Sequence, residues 1–302
     1  MAVSSVPGAP QSVTIRGMPT VDENIRKWET SYAWPEDGDE WSEYWGTAQA
    51  QWFGCLLPRV FPFLKGRILE IAPGHGRWTQ FLQAHCDSLI GIDLTPACIE
   101  RCSERFARNP NLEFKVNDGL AFPMIENGSI DFAFSFDSLV HAESDVLSSY
   151  AHELARVLKP GGVAFIHHSN LDAVRRSSVS YAARSARMRL SRVPFITPYW
   201  RAASMSAKKM RAFVKDAGMT CIQQEIIPWG PPFFQTRRRS YWLWMTDCMS
   251  TIVNKPGNQC HVFRNPLFLE EAAAVKRISS LGVADIQDGS GSNSVHPVRQ
   301  SS

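Results

Sequence analysis

A carboxylate and two glycines occupy the point where a predicted strand becomes a helix. Residues 68–71 read Ile-Leu-Glu-Ile, an apolar run typical of a buried parallel strand that carries one acidic residue, Glu70. Gly74 and Gly76 follow, and a helix is predicted from Trp78. Because glycine lets the backbone turn sharply and approach a ligand closely, this pattern predicts a nucleotide-binding junction.

The position of the acidic residue distinguishes two cofactor classes. A dinucleotide site calls for Gly-x-Gly-x-x-Gly and a pyrophosphate at the helix N-terminus, but Thr79 stands at the third glycine position. S-adenosylmethionine carries no phosphate and has a cationic sulfonium and ammonium, which a carboxylate at Glu70 would stabilise. The series Glu70-x-Ala72-x-Gly74-x-Gly76 resembles motif I of the class I S-adenosylmethionine-dependent methyltransferases, with Ala72 replacing the commoner first glycine.

The next two predicted strands agree with that resemblance. The second ends at Asp93, 17 residues beyond Gly76, where an acidic side chain can accept hydrogen bonds from both ribose hydroxyls. The third, over residues 112–116, is followed by Asn-Asp-Gly at 117–119, which resembles the family segment that recognises adenine. The resemblance implies cofactor contacts at Glu70, Ala72, Pro73, Gly74, His75, Gly76, Asp93, Leu94, Asn117, Asp118, Gly119 and Phe136.

The remaining elements complete the pattern of this fold. A fourth strand begins at Ile130, and a helix, a turn at 159–162 and a fifth strand follow it; the match covers about residues 64–170. Downstream, residues 206–217 predict a helix that ends at Gly218, and an antiparallel strand pair should follow. We therefore expect an α/β fold of the class I methyltransferase type. Its Rossmann-like sheet should have seven mostly parallel strands, with helices on both faces and the ligand at their carboxyl ends.

Length and composition are those of an ordinary globular enzyme. The chain has 302 residues, of which 44% are hydrophobic, and a net charge of +3. We find no apolar run near the roughly 20 residues needed to span a bilayer and no signal-peptide pattern, so a cytoplasmic location is expected. The seven cysteines lack paired metal-ligand spacing, although Cys98 and Cys102 lie four apart on one predicted helix, and no metal site is predicted.

Changes in residue pattern divide the chain into six segments within one fold. Both ends are rich in Ser, Gly, Pro and Gln and are predicted to be disordered. The predicted segments are a tail at 1–20, an aromatic-rich helical cap at 21–63, the cofactor-binding core at 64–170, a basic insertion on the substrate side at 171–205, the C-terminal part of the domain at 206–282 and a second tail at 283–302.

Two of these segments have unusual compositions. The cap holds Trp28, Trp34, Trp41, Trp45 and Trp52, half of the ten tryptophans; these rings either pack the cap onto the sheet or, in one or two cases, face the substrate. Residues 175–215 contain eleven Lys or Arg and no Asp or Glu. Such a stretch can contact phosphate or an anionic membrane surface, or it can be a solvated helix face.

Methyl transfer to a hydroxyl requires a base beyond strands four and five, and that region contains several candidates. We predict His141 and His168 as bases, because histidine titrates near neutral pH, with Asp137 orienting a histidine or binding substrate. Each histidine can equally be structural. A divalent metal between these residues is conceivable, but no ligand spacing requires one.

The acceptor is the least constrained part of the sequence. The segment after strand four, Ser-Phe-Asp-Ser-Leu-Val-His at 135–141, lacks the Asp/Asn-Pro-Pro-aromatic motif of DNA-amino methyltransferases, which disfavours nucleic-acid bases. The pattern is similar to small-molecule methyltransferases of the type 11 group, and we expect O-methylation of a small-molecule or sugar hydroxyl in a glycan, glycolipid or natural product. An RNA- or protein-modifying methyltransferase and a catalytically silent S-adenosylmethionine-binding module remain alternatives. The oligomeric state is left open.

Overall fold

One eight-stranded sheet organises the chain. The computed structural model describes residues 20–176, 201–229 and 245–288, with side chains up to 174 and 280 in the first and last of these ranges. The strand order is β3-β2-β1-β4-β5-β7-β6-β8. The strands are β1 Arg67–Ile71, β2 Ser88–Asp93, β3 Leu112–Val116, β4 Ile130–Ser135, β5 Leu158–Ser169, β6 Thr220–Ile227, β7 Asp247–Val253 and β8 His261–Arg264.

Strands β1 to β5 are parallel, and β7 runs antiparallel between β5 and β6. The expected fold class is confirmed, including the antiparallel pair near the edge. The sheet has one strand more than the seven expected, because β8 pairs in parallel with β6. All four β8 residues are exposed, so the segment lacks the apolar run that indicates a buried strand. The turn expected at 159–162 lies inside β5, where the register to β4 shifts between Ile130 and Phe132.

Helices cover both faces of the sheet and bury two apolar clusters. Successive strand residues point to opposite faces, so that in β4 Phe132 and Phe134 belong to one cluster while Ala133 belongs to the other. The helices are α1 Val21–Arg26, α2 Ala48–Gln51, α3 Leu57–Val60, α4 Thr79–Leu82, α5 Pro96–Arg105, α6 Ser144–Val157, α7 Leu171–Arg176, α8 Ala207–Asp216 and α9 Phe268–Asp288. Short 3₁₀ turns, among them Asp39–Trp45 and Leu139–His141, and π turns at Lys27–Ser31 and Trp52–Leu56 complete the helical structure.

The cap is helical as predicted, and α9 packs against it. The chain becomes regular at Thr20, whose side chain accepts a hydrogen bond from the Glu23 N–H in a capping box. Helix α9 extends to Asp288, so the C-terminal tail expected from residue 283 begins later. The rest of both predicted tails, and residues 177–200 of the predicted basic insertion, lie outside the described residues. Of the described helices, none is long and apolar enough to cross a membrane.

Ala72, immediately after β1, has a backbone φ of +57°, in the left-handed region that favours glycine. We expect Ala72→Gly to raise the free energy of unfolding by about 1 kcal/mol, because the Cβ strain is removed. Chemical denaturation measures this change. As a matched control, Ala273→Gly at an exposed position inside α9 should lower the same quantity by about 1 kcal/mol. A loss of stability in both variants would contradict the left-handed conformation at Ala72.

Candidate functional site

The site is assembled at the edge of the sheet where the parallel strands end. The segments after β1, β2, β3, β4 and β5 all emerge at this edge, and β7 starts there because it is antiparallel to β5. Side chains that are distant in sequence therefore meet at one place, which is the usual ligand position in such sheets.

The glycine turn after β1 is closely packed. Gly74 and Gly76 have φ values of +59° and +88°. A Cβ on Gly74 would lie 2.7 Å from the ring of Trp34, and one on Gly76 would lie 2.4 Å from the ring of Phe106. Glycine is required at both positions, as the motif implies. Pro73 is buried between Ala72 and Gly74.

Glu70 is a buried carboxylate for which the described residues supply no cationic hydrogen-bond partner. It is 1% exposed; its Oε2 accepts a hydrogen bond from Thr79 Oγ1 at 2.6 Å, and its Oε1 has no hydrogen-bond partner. Burial raises its pKa from 4.5 to about 8, and nearby Asp93 adds to the rise against the Thr79 hydrogen bond. A cationic ligand beside Oε1 would remove this penalty, so the site fits a sulfonium- and ammonium-bearing cofactor.

Asp93 connects the second strand to the glycine turn. Its Oδ2 accepts a hydrogen bond from the Gly74 N–H at 3.1 Å, and its Oδ1 accepts from the N–H and hydroxyl of Thr95 at 3.0 and 2.9 Å. Burial raises the pKa of Asp93 despite these bonds. The carboxylate thus lies at the predicted ribose position, beside the half-buried Leu94, and also shapes the turn.

The loop after β3 places the three predicted adenine-side residues differently. Asn117 is buried; with its amide oriented to satisfy its neighbours, it donates to the Asp93 carbonyl and accepts from the Tyr150 hydroxyl and the Gly119 N–H. Asp118 is exposed, and its Oδ1 accepts hydrogen bonds from the N–H groups of residues 120 and 121 at 2.8 Å. Asn117 is therefore structural as well as close to the edge, whereas Asp118 is accessible.

The cap closes over the glycine turn through stacked rings and an ion pair. The ring of Trp34 stacks on His75 at 4.3 Å between centroids, with 15° between the planes. Asp37 accepts hydrogen bonds from Arg101 at 2.9 and 2.7 Å and lies 3.2 Å from His75 Nδ1. The hydrogen bond from Arg101 is the main reason that the pKa of Asp37 falls to about 2. The cap thus contacts the motif directly.

His141 lies between the cap and the loop after β4. Its ring is 5.3 Å from the ring of Trp28, and its backbone carbonyl accepts a hydrogen bond from Asn24 Nδ2 at 3.3 Å. The residue is 8% exposed. The structure therefore brings one predicted base into the space enclosed by the cap.

Asp137 forms one link in a chain of buried charges. Arg77 Nη2 donates to Asp137 Oδ2 at 3.1 Å, and Arg201 Nη2 lies 3.4 Å from Oδ1. Arg201 also pairs with Asp247 at 3.0 Å, and Asp247 lies 3.2 Å from His167 Nε2. Burial would raise the pKa of Asp247, but Arg201 and His167 outweigh it and hold that pKa at about 2.

The structure separates the two adjacent histidines of β5. His168 is fully buried; its Nδ1 is 2.9 Å from the Ser169 carbonyl and its Nε2 is 2.8 Å from the Ser250 hydroxyl. Burial lowers the pKa of His168 to about 4. These contacts correct the expectation that His168 acts as a base, because both ring nitrogens are already engaged inside the sheet. His167 instead stacks on Phe136 at 4.5 Å, and Phe136 is itself buried.

The described part of the basic stretch is largely engaged within the protein. Arg201 pairs with the two buried aspartates, Lys209 lies 3.4 Å from Asp172, and Arg211 donates to Gln224. Contact with phosphate or membrane through residues 175–215 stays a prediction. Among the described residues no cluster of three or more His, Cys, Asp or Glu side chains could hold a metal ion, and both Cys98 and Cys102 are buried.

Arg77, Arg201 and Asp247 are the site residues that the sequence did not indicate. Arg77 lies in the turn that follows the glycines, but its type carries no signal for Asp137, 60 residues away. Arg201 belongs to the basic stretch and was predicted as part of a surface. The alternation of residues along β5 and β7 was the available signal, because it places His167 and Asp247 at the same edge.

The raised pKa of Glu70 gives a testable proton linkage. S-adenosylmethionine is cationic, so binding should favour ionised Glu70 and release up to about one proton per molecule bound below about pH 8. We expect calorimetric enthalpies at neutral pH to depend on the ionisation enthalpy of the buffer, and the Kd to fall as the pH rises toward 8.

The matched variants are Glu70→Gln, which should lose the linkage, and Glu126→Gln at an exposed position, which should keep it. In the ligand-free protein, the contribution of Glu70 to the free energy of unfolding is present below its ordinary pKa of 4.5 and is lost as the pH rises to about 8. Enthalpies that are the same in all buffers would contradict the assignment.

Comparison with known proteins agrees with this geometry. A family model described as a methyltransferase domain matches residues 68–162. Over 104 residues the chain is 36% identical to a phthiotriol/phenolphthiotriol dimycocerosates methyltransferase of Mycobacterium leprae, which is 32% of this chain and 35% of the relative. It is 29% identical over 124 residues to a 2-methyl-6-phytyl-1,4-hydroquinone methyltransferase of Synechocystis, which is 39% of this chain and 36% of the relative. Each match spans about a third of the relative's length.

A solved structure extends the similarity in fold. The structure of geranyl diphosphate methyltransferase in complex with GPP and sinefungin superposes with a TM-score of 0.54 at 12% identity, covering 78% of this chain and all of that one. With the glycine turn, Glu70 and Asp93 in place, residues 68–162 are the cofactor-binding part of a class I S-adenosylmethionine-dependent methyltransferase domain.

Proposed function

We propose that this chain is a methyltransferase that transfers the methyl group of S-adenosylmethionine to a hydroxyl group of a small molecule. Sugar-bearing lipids, glycosylated natural products and lipid-tailed phenols are the acceptors we consider. The observation that carries the proposal is the closed cap: Trp34 stacks on His75 of the motif and Trp28 lies against His141. An acceptor beneath this cap must be small enough to be enclosed, which disfavours folded RNA or protein.

The chain's residues have separable tasks in this reaction. When bound, the cofactor supplies an activated methyl group on a sulfonium. Glu70 balances the positive charge, Asp93 accepts hydrogen bonds from the ribose, and the cap excludes water. Such a reaction depends mainly on holding the acceptor oxygen in line with the methyl group.

His141 is the proposed base for the acceptor proton. Asp137 is less suited to this task because two arginines lie against its carboxylate, and His168 has both ring nitrogens engaged. His141 lies in the enclosed space beside Trp28 and belongs to the 3₁₀ turn after β4. Asp137 and Arg201 would then fix the shape of that loop as positioning residues.

The names of the curated relatives support a hydroxyl acceptor. One relative is named for a triol and the other for a hydroquinone that bears a phytyl group. Both names denote hydroxylated molecules. The sugar reading and the phenolic reading share this chemistry, and a cytoplasmic site of action stays part of the proposal.

Labelled donor identifies the acceptor class. We expect purified protein incubated with methyl-labelled S-adenosylmethionine and separated cell fractions to label the lipid or small-metabolite fraction in an alkali-stable form. Asp93→Asn should lose most of this transfer, whereas Asp87→Asn at an exposed position should retain it. Label that enters RNA, with transfer that falls steeply as salt is added, would overturn the small-molecule proposal.

Replacing the proposed base should affect the rate and leave cofactor binding intact. We expect His141→Asn to lower kcat by about 10²- to 10⁴-fold and to remove the rise of the rate with pH, while calorimetry gives an unchanged Kd for S-adenosylmethionine. His152→Asn in α6, where the side chain is 53% exposed, is the matched control and should behave like the unmodified protein. A variant with normal kcat and an unchanged pH profile would exclude His141 as the base.

A further inference from the structure

Six buried rings form a continuous group beside the carboxyl edge of the sheet. Trp45 contacts Trp229 at 5.6 Å, Trp229 contacts His167 at 5.6 Å, and His167 contacts Phe136 at 4.5 Å between ring centroids. The group continues from Phe136 to Trp78 at 5.8 Å and from Trp78 to Trp52 at 6.4 Å. We call these rings the aromatic cluster: Trp45, Trp52, Trp78, Phe136, His167 and Trp229.

The cluster joins the cap to the loops that follow the strands. Trp45 and Trp52 come from the cap, whereas Phe136 follows β4 and Trp229 follows β6. His167 is near the end of β5. All six residues are at most 8% exposed, so the cluster is closed to bulk water in this conformation.

Four cap residues in and beside this cluster carry buried polar atoms with no hydrogen-bond partner. Gln51 is fully buried, and neither its amide nitrogen nor its amide oxygen is paired. The Nε1 atoms of Trp45 and Trp52 and the hydroxyl of Ser42 are unpaired as well, and these residues are also fully buried. Unpaired polar atoms in a protein interior are costly and rare, so such a concentration within residues 42–52 requires an explanation.

The chemistry of these atoms defines what would pair with them. The Gln51 amide both donates and accepts hydrogen bonds, the Ser42 hydroxyl does the same, and each indole donates one. All of these groups are neutral. The charged groups nearby are already matched, since Arg77 and Arg201 face Asp137, and Arg201 and His167 face Asp247. A charged ligand group would find no free counter-charge here, whereas hydroxyl groups would satisfy the unpaired atoms.

We infer that the aromatic cluster and Gln51 form the acceptor subsite, which binds an uncharged hydroxylated ring. The ring would stack on the cluster, and its oxygen substituents would exchange hydrogen bonds with Gln51, Ser42 and Trp45. This inference rests on the proposed function and narrows it, because it assigns the recognition of the acceptor to neutral cap residues. Phenolic rings and sugar rings both have the required chemistry.

Binding can be measured without any turnover, because four of the six rings are tryptophans. We would titrate the full chain, saturated with S-adenosylmethionine, with decylhydroquinone in one arm and octyl glucoside in the other, and follow tryptophan fluorescence. We expect one of the two probes to change the emission in a saturable manner. The arm that responds identifies the ring type.

Gln51→Leu and Gln49→Leu form a matched pair within α2, because Gln51 is buried and Gln49 is exposed. Gln51→Leu should raise the Kd of the responding probe about tenfold or more, through loss of the amide hydrogen bonds. It should also raise the melting temperature, because leucine has a similar volume and leaves no unpaired buried polar atom. The Kd of S-adenosylmethionine should not change. Gln49→Leu should alter neither probe affinity nor stability to a comparable extent.

Three results would overturn the inference. The first is the absence of saturable binding by either probe, the second is an unchanged probe Kd in Gln51→Leu, and the third is a lower melting temperature in that variant, which would indicate a structural role for the amide. Failure of the proposed function is distinguishable. If a probe binds in a Gln51-dependent manner but no methyl group is transferred to any acceptor, the subsite stands and the methyl-transfer proposal fails.

Discussion

The buried carboxylate of Glu70 is the constraint around which the site is arranged. It lies on β1, which is flanked on both sides by other strands, so the side chain cannot move into water. Burial without a counter-charge favours the neutral acid, and the raised pKa records this cost. A position that is unfavourable for the free protein is favourable for a cationic ligand. The glycine turn and Asp93 then define where such a ligand can lie relative to the carboxylate.

The rest of the edge buries polar groups in two different ways. The charged residues around Asp137 and Asp247 are paired with one another, which fixes the loops after β4 and before β7. The neutral groups of the cap near the aromatic cluster are not paired. Paired charges resist rearrangement, whereas unpaired neutral groups gain by contact with a ligand. The edge thus combines a rigid frame with a surface that is incomplete by itself.

The sequence predicted the parallel strands and the cofactor turn well because both depend on local patterns. Apolar runs specify β1, β2 and β4, and glycines are needed at Gly74 and Gly76 whatever surrounds them. Strand β8 was missed because its residues are exposed and carry no apolar run. The choice between His167 and His168 also failed: both residues are fully buried, and the sequence does not show which face of the sheet the ligand occupies. The pairing of Arg201 with Asp247 depends on tertiary structure, which no local pattern records.

Helix α9 closes the cap from outside. Val275 packs where a Cβ on Gly54 would come within 2.7 Å, and Lys276 Nζ donates to the Glu43 carbonyl at 2.9 Å. The first helical segment of the chain is therefore held between the sheet and one of the last. During synthesis, the cap cannot acquire its final packing until the ribosome has released residues beyond 276. A chain arrested before that point would expose the tryptophans of an open cap, which makes the nascent protein dependent on rapid completion or on a chaperone.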